Sequence, residues 1–323
     1  MPLPSGLLTI LNFYTQLNNY LITIIGPTAI GKTALSIKLA QYFNCDIISC
    51  DSRQFFKEMK IGTAVPNEDE LNAAKHHFIQ NKSILENYSV GDFEEEALNK
   101  LDKLFEEKNI QIMVGGSGLY VDAVLKGFDE FPDINPSVRD TINTQFEEKG
   151  LTYLQDTLQN LDPSYYKTIA AENPQTFQNP QRMKRFVEVC IGTGKPYSSF
   201  IGKRKINRNF KPIIIGLEAD REIMYDRINQ RVDIMMNNGL LNEVTSLYNQ
   251  KHLNALQTVG YRELFDYLDE KTTLPFAIEE IKKNTRRFSK RQITWFKRTE
   301  NANWFDYLTP VEEIINTIKV TIS

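Results

Sequence analysis

Tyr20-Leu21-Ile22-Thr23-Ile24-Ile25, followed at once by Gly26-Pro27-Thr28-Ala29-Ile30-Gly31-Lys32-Thr33, decides the fold. The first run is apolar, β-branched and of strand length, and reads as a buried strand. The second fits G-x-x-x-x-G-K-[ST], and Ala34 to Phe43 after it has helical spacing. Strand, glycine loop and helix in that order make a phosphate cradle. The glycines let backbone N–H groups turn inward, and the helix adds its positive end. Lys32 supplies a compact charge and Thr33 a hydroxyl for Mg²⁺. The motif says that the ligand carries phosphates but not which molecule carries them.

Working outward, Asp46 to Cys50 reads as a second strand ending at Asp51, and Ile110 to Val114 as a third closed by Gly115-Gly116. Between them, residues 55–90 read as loops and short helices. Phe93 to Glu107 is an amphipathic helix with Phe93, Ala97, Leu98, Leu101, Leu104 and Phe105 on one side. A helix starts near Gly118. A strand at Ile213 to Leu217 and helical patterns at 221–236, 240–250 and 276–298 follow. Strands alternating with helices predict an α/β fold, a P-loop NTPase-like parallel sheet flanked by helices. In such a sheet ligands bind beyond the strand C-termini. The phosphate loop, Asp51 and Gly115-Gly116-Ser117 therefore converge on one edge. From Gly127 the texture changes: Pro132, Pro136, Pro163, Pro174, Pro180 and Pro196 punctuate polar helical stretches. The expected division is a catalytic core at 20–126 and 208–323, a mostly helical insertion at 127–207, and an N-terminal extension at 1–19.

Bulk properties agree with a soluble globular protein. The chain has 323 residues, more than one core usually serves. No run approaches the roughly 18–20 apolar residues that cross a bilayer. The N-terminus lacks the basic start and cleavage site of a secretory signal. Cys45, Cys50 and Cys190 form no disulfide framework, and His76, His77 and His252 join them in no zinc-finger spacing. These features predict a cytoplasmic protein without a membrane partner, and a monomer. The net charge of −3 predicts no polyanion by itself. Basic residues nevertheless gather at Lys203-Arg204-Lys205 with Arg208 and Lys211, and again from Lys282 to Arg298. That patterning fits a nucleic acid or polyphosphate ligand.

Each motif carries more than one chemistry. Asp51 closes an apolar strand, as a metal-supporting acid does in many NTPases; a general base facing an acceptor would stand there too. Gly115-Gly116-Ser117 is a tight strand–helix turn, or a place where amides approach an anion. Arg182 and Arg185 share a helix face that is either solvated or turned to a phosphate backbone. On the basic helix, Ile281, Phe288 and Trp295 repeat at seven and predict a buried stripe. Lys283, Arg286, Arg287, Lys290 and Arg291 form adjacent cationic rows able to hold a leaving pyrophosphate.

Together these motifs resemble the tRNA dimethylallyltransferases, also called tRNA isopentenyltransferases. The resemblance runs from about Leu21 to about Asp306. It joins Gly26–Thr33, Asp51-Ser52, Lys60-Ile61-Gly62-Thr63-Ala64 before Pro66, His76-His77, Gly115-Gly116-Ser117, Asn179-Pro180-Gln181-Arg182, Val259-Gly260-Tyr261-Arg262 and Lys290-Arg291-Gln292-Ile293-Thr294-Trp295. It implies transfer of a dimethylallyl group from its diphosphate to N6 of an adenosine beside the anticodon, with Mg²⁺ as cofactor. By resemblance Asp51 accepts the amine proton, and Ser117 takes a hydroxyl position near the reacting groups. Lys32, Thr33 with Mg²⁺, the loop amides and Arg286 or a neighbour such as Lys290 or Arg291 stabilise the pyrophosphate. The implied tRNA contacts are Asp51, Ser52, Arg53, Gln54, Ser117 and Arg139. They continue with Gln181, Arg182, Met183, Lys184 and Arg185, then Gln257, Thr258, Val259, Gly260, Tyr261 and Arg262. The insertion resembles the family's subdomain that grips the anticodon stem. Two positions depart from the pattern: Ile30 replaces a common serine at a free position of the loop, and Gln80 stands where an acid often follows the histidine pair. The zinc finger of some eukaryotic members has no counterpart, as in a bacterial or organellar type.

Three other readings share parts of this pattern. A small-molecule P-loop kinase has the loop and the acid but also a lid with paired arginines, for which no segment stands out. An isopentenyltransferase of free adenine nucleotides needs no insertion bearing Gln181-Arg182. An RNA-binding P-loop regulator needs no base at Asp51.

Overall fold

The computed structural model describes residues 18–202 and 207–323. The N-terminal extension, apart from its last residues, and the Lys203-Arg204-Lys205 cluster lie outside them. The chain separates into two compact units, 1–126 with 208–323 and 127–207.

In the first unit the chain runs through β1 (Tyr20–Ile25), α1 (Lys32–Phe43), β2 (Ile47–Ser49), α2 (Glu68–Ala73), β3 (His76–His77), α3 (Val90–Glu107), β4 (Ile110–Val114) and α4 (Gly118–Lys126). The second unit holds α5 (Pro136–Leu161), α6 (Pro163–Glu172), α7 (Pro174–Phe177) and α8 (Pro180–Thr193). The first then resumes with β5 (Lys211–Glu218), α9 (Arg221–Asn237), α10 (Leu240–Ser246), α11 (Tyr261–Leu268), α12 (Leu274–Phe296), β6 (Ala302–Asp306) and α13 (Val311–Ile322).

The six strands form one parallel sheet in the order β3-β2-β4-β1-β5-β6. β1 is central because it is apolar on both faces. Ile22 and Ile24 pack with Leu35, Leu39 and Ile315, while Leu21 and Ile25 pack with Phe93, Leu101 and Phe296. A strand covered on both sides reads as continuous rather than alternating, which is why its sequence was legible. The edges were not: β3 has two residues, and β6 is Ala-Asn-Trp-Phe-Asp, only partly buried.

The insertion has its own core of Ile142, Leu154, Leu158, Ile169, Met183, Phe186, Val187 and Cys190. Pro136, Pro163, Pro174 and Pro180 are helix starts. Asn135, Asp162 and Asn179 each cap an N-terminus by accepting a backbone N–H two or three residues on, and proline follows each at the first helical position. Gly150, at φ 71°, breaks α5.

Candidate active site

β1 ends at Ile25, Gly26 opens the loop, and the loop closes at Gly31, whose φ of 110° lies in the left-handed region that favours glycine. Ala29 and Ile30 are buried, so this stretch offers its backbone. The Ile30 side chain packs into the core beside the loop. The Lys32 ammonium donates to Gly26 O at 3.0 Å and Pro27 O at 2.7 Å. Burial pulls its pKa down to about 8, opposed by Asp51 and aided by Arg231.

Two neighbouring cavities open at this edge. The smaller, about 330 Å³, is lined by the loop from Thr28 to Ala34 together with Asp51, Gln54, His76 and Gly116. The larger, about 550 Å³, combines apolar Val232, Met235, Leu240 and Phe288 with polar Ser52, Arg53, Ser117 and Arg262. Thr28, Asp51, Gly116 and Arg231 line both. Asp51 thus stands between the cavity lined by the glycine loop and the part-apolar chamber.

Asp51 is placed by the β2 end, where Cys50 N donates to Val114 O at 2.8 Å. Its Oδ1 accepts from Arg53 N at 3.1 Å, leaving the rest of the carboxylate toward the cavities. Burial pushes the adjacent Cys50 thiol far up, so it stays protonated. Ser117 Oγ accepts from Ser52 N at 3.1 Å and donates to Ser52 Oγ at 3.0 Å, joining the β4 turn to the Asp51 turn.

Several expected contact residues are engaged within the protein. Arg53 donates to Asn254 O and Ala255 O at 3.0 and 2.9 Å. Gln54 Nε2 donates to Thr63 O and Ala64 O at 3.1 and 2.9 Å. Gln257, Thr258, Val259, Gly260 and Arg262 line the larger cavity, but Tyr261 is fully buried. Its hydroxyl donates to Glu243 at 2.6 Å, so its side chain builds the wall rather than facing a ligand. Glu243 also accepts from the amides of Lys60, Ile61 and Gly62 at 3.0, 2.7 and 3.0 Å.

On α12 the expected stripe needs correction. Ile281 is buried, but Phe288 is 38% exposed and lines the larger cavity with Trp295. The buried positions near them are Ser289, Gln292 and Phe296. Arg291 lines that cavity; Arg286 and Lys290 line neither. Arg286 donates to Asn229 at 2.6 Å and lies over the Tyr225 ring. Lys282 and Lys283 pair with Asp233 and Glu280 at 2.8 and 2.7 Å, which mutes the cationic rows. The cations at the loop come from α9 instead. Arg227 donates to Ala29 O at 2.8 Å, and Arg231 to Thr28 Oγ1 at 3.3 Å. Sequence reasoning missed both, because on α9 they look like ordinary solvated arginines.

In the insertion, Gln181 and Arg182 are exposed and Arg185 is partly so. Arg139 and Arg185 share Glu188 at 3.2 and 3.1 Å. Arg182 donates to Thr176 Oγ1. Met183 is fully buried, so its side chain is core packing and not a contact surface. Lys184 is buried too, donating to Asn143 at 2.8 Å over the Phe146 ring.

A phosphate loop at the carboxyl edge of a parallel sheet, with a carboxylate at the next strand end, defines a P-loop-like enzyme. Residues 54–299 match the IPP transferase family model. A tRNA dimethylallyltransferase of Flavobacterium johnsoniae is 72% identical over 299 residues, covering 93% of this chain and 97% of its own. The Christiangramia forsetii tRNA dimethylallyltransferase is 56% identical over 307 residues, 95% of this chain and 100% of its own. Among solved structures, the tRNA isopentenylpyrophosphate transferase of Bacillus halodurans superposes with a TM-score of 0.69 at 35% identity, covering 94% of this chain and 97% of that one. A eukaryotic dimethylallyltransferase acting on tRNA superposes with a TM-score of 0.76 at 27% identity, covering 94% and 78%. The chain belongs to the IPP transferase family, the tRNA dimethylallyltransferases, and is a transferase.

Among the described residues no helix is long and apolar enough to cross a membrane, and no cluster of three His, Cys, Asp or Glu is arranged to hold a metal.

Proposed function

We propose that this chain moves a dimethylallyl group from dimethylallyl diphosphate to N6 of the adenosine 3′ of the anticodon in tRNA, releasing pyrophosphate. The observation that carries this reading is the position of Asp51 on the wall of both cavities. The allylic C–O bond breaks as the N6–C bond forms. The amine proton passes to Asp51, and the electron pair leaves with pyrophosphate. An exocyclic amine is a weak nucleophile, so a positioned base contributes about 10²–10⁴-fold.

The backbone amides of residues 29–33, Lys32 and Arg231 receive the developing negative charge. Thr33 lines the smaller cavity. With the diphosphate oxygens it would hold Mg²⁺, which takes few protein ligands and keeps its other positions for phosphate and water. Bound there, the ion adds charge stabilisation to the leaving group. The apolar side chains of the larger cavity suit a five-carbon chain, and its polar rim at Ser52, Ser117 and Arg262 suits an extruded base. The insertion, through Gln181, Arg182, Arg185 and Arg139, would grip the anticodon stem of a tRNA bound to a cytoplasmic monomer.

The test is incubation of the purified protein with labelled dimethylallyl diphosphate, Mg²⁺ and tRNA. Label in tRNA that chelation of the metal abolishes is expected; no label in any tRNA overturns the reading.

A further inference from the structure

Gln292 lies on α12, a helix whose exposed side is basic, yet it is only 6% exposed. Its Oε1 accepts from the Thr28 amide at 2.8 Å, and its Nε2 donates to the Gly116 carbonyl at 2.7 Å. Both ends of the side-chain amide are thus satisfied by main chain, and the donor and acceptor present fix its orientation. One side chain ties the third residue of the phosphate loop to the glycine turn after β4. Both tied residues line both cavities, and Gln292 itself lines the larger. A Cβ on Gly116 would collide with the Gln292 amide and stand 3.8 Å from Lys32 Nζ. The turn therefore uses glycine there so that this amide can reach.

We infer that Gln292 is a positioning residue for the transfer. It sets the spacing between the phosphate loop, which holds the leaving group, and the Gly116-Ser117 turn, which with Ser52 and Asp51 faces the acceptor. The inference rests on the proposed function. Gln292 acts through Thr28 and Gly116, and because it occupies the Thr28 amide it leaves the amides of residues 29–33 to the phosphates. Its loss relaxes the alignment of carbon and amine more than it weakens diphosphate binding. Misplacement by about an ångström costs on the order of 10²-fold in rate.

Two isosteric variants test this. Gln292→Met removes both hydrogen bonds and keeps the volume. Pyrophosphate affinity by calorimetry is expected within about threefold of wild type, with kcat lowered about 10- to 100-fold. Gln292→Glu keeps the acceptor for Thr28 N, but its second oxygen meets the Gly116 carbonyl unless it is protonated. Its kcat relative to wild type is therefore expected to rise as pH falls from about 8 to about 6, an outcome that general loosening of the fold does not give. Lys32, Asp51, Arg231 and Arg291 face the same space and set where that rise falls. A Gln292→Met protein with wild-type kcat, a loss confined to pyrophosphate affinity, or a Gln292→Glu ratio that is flat with pH overturns the inference. A wild-type protein that labels no tRNA overturns the proposed function instead.

Discussion

Lys32 carries a charge that its surroundings resist, and the resistance has a measurable sign. Burial holds its pKa near 8 in the free protein, whereas a bound diphosphate favours the ammonium and raises it. Above about pH 8 binding must therefore take up a proton, so affinity for pyrophosphate should fall as pH rises, by up to about tenfold per unit. Calorimetry in two buffers of different ionisation enthalpy should show wild type taking up nearly one proton more than Lys32→Arg at about pH 9 and almost none more at about pH 6.5, the titration of pyrophosphate itself cancelling in the comparison. Equal affinity at both pH values would mean that Lys32 stays charged throughout. Asp51 makes a complementary prediction. Asp51→Asn keeps the shape and removes the base, so kcat should drop about 10²–10⁴-fold while pyrophosphate affinity stays nearly unchanged. Direct binding against single-turnover transfer separates the two.

At the scale of elements, the walls of the larger cavity depend on ties between segments far apart in sequence. Glu243 on α10 gathers the amides of residues 60–62 and the Tyr261 hydroxyl at the start of α11. A carboxylate accepting so many donors leaves several of them unpaired when it is lost. Glu243→Ala should destabilise the fold by about 2–3 kcal/mol, against about 1 kcal/mol for Tyr261→Phe, in denaturant unfolding. Equal losses would show that the three amides find water instead. The same principle explains where the heptad on α12 misled. Spacing shows which residues share a face, but α12 crosses an open chamber, so Phe288 became cavity lining and Gln292 became buried.

At the scale of the molecule, the proposed function assigns catalysis to one unit and substrate grip to the other. The insertion and the first unit each have a core of their own. Replacing residues 127–207 by a short flexible linker should leave pyrophosphate binding within a few-fold and abolish measurable tRNA affinity; retained tRNA binding would remove the insertion from the grip. Binding through phosphate contacts should also weaken at least about tenfold between roughly 50 and 200 mM salt. The KM for dimethylallyl diphosphate should change far less, because its site is partly enclosed.

The sequence by itself determined the sheet centre, the phosphate loop, the Asp51 strand end and the order of motifs, because each is local. β1 is apolar in every register, the loop needs glycine and lysine at fixed offsets, and prolines punctuating polar helical stretches announce the insertion. Only the tertiary structure decided the rest. The edge strands owe their existence to pairing with β2 and β5, a preference their own residues do not carry. Arg231 reaches Thr28 across 203 residues and Gln292 across 264. No periodicity encodes such distances, because a side chain's role there depends on which helix the packed core sets beside the loop.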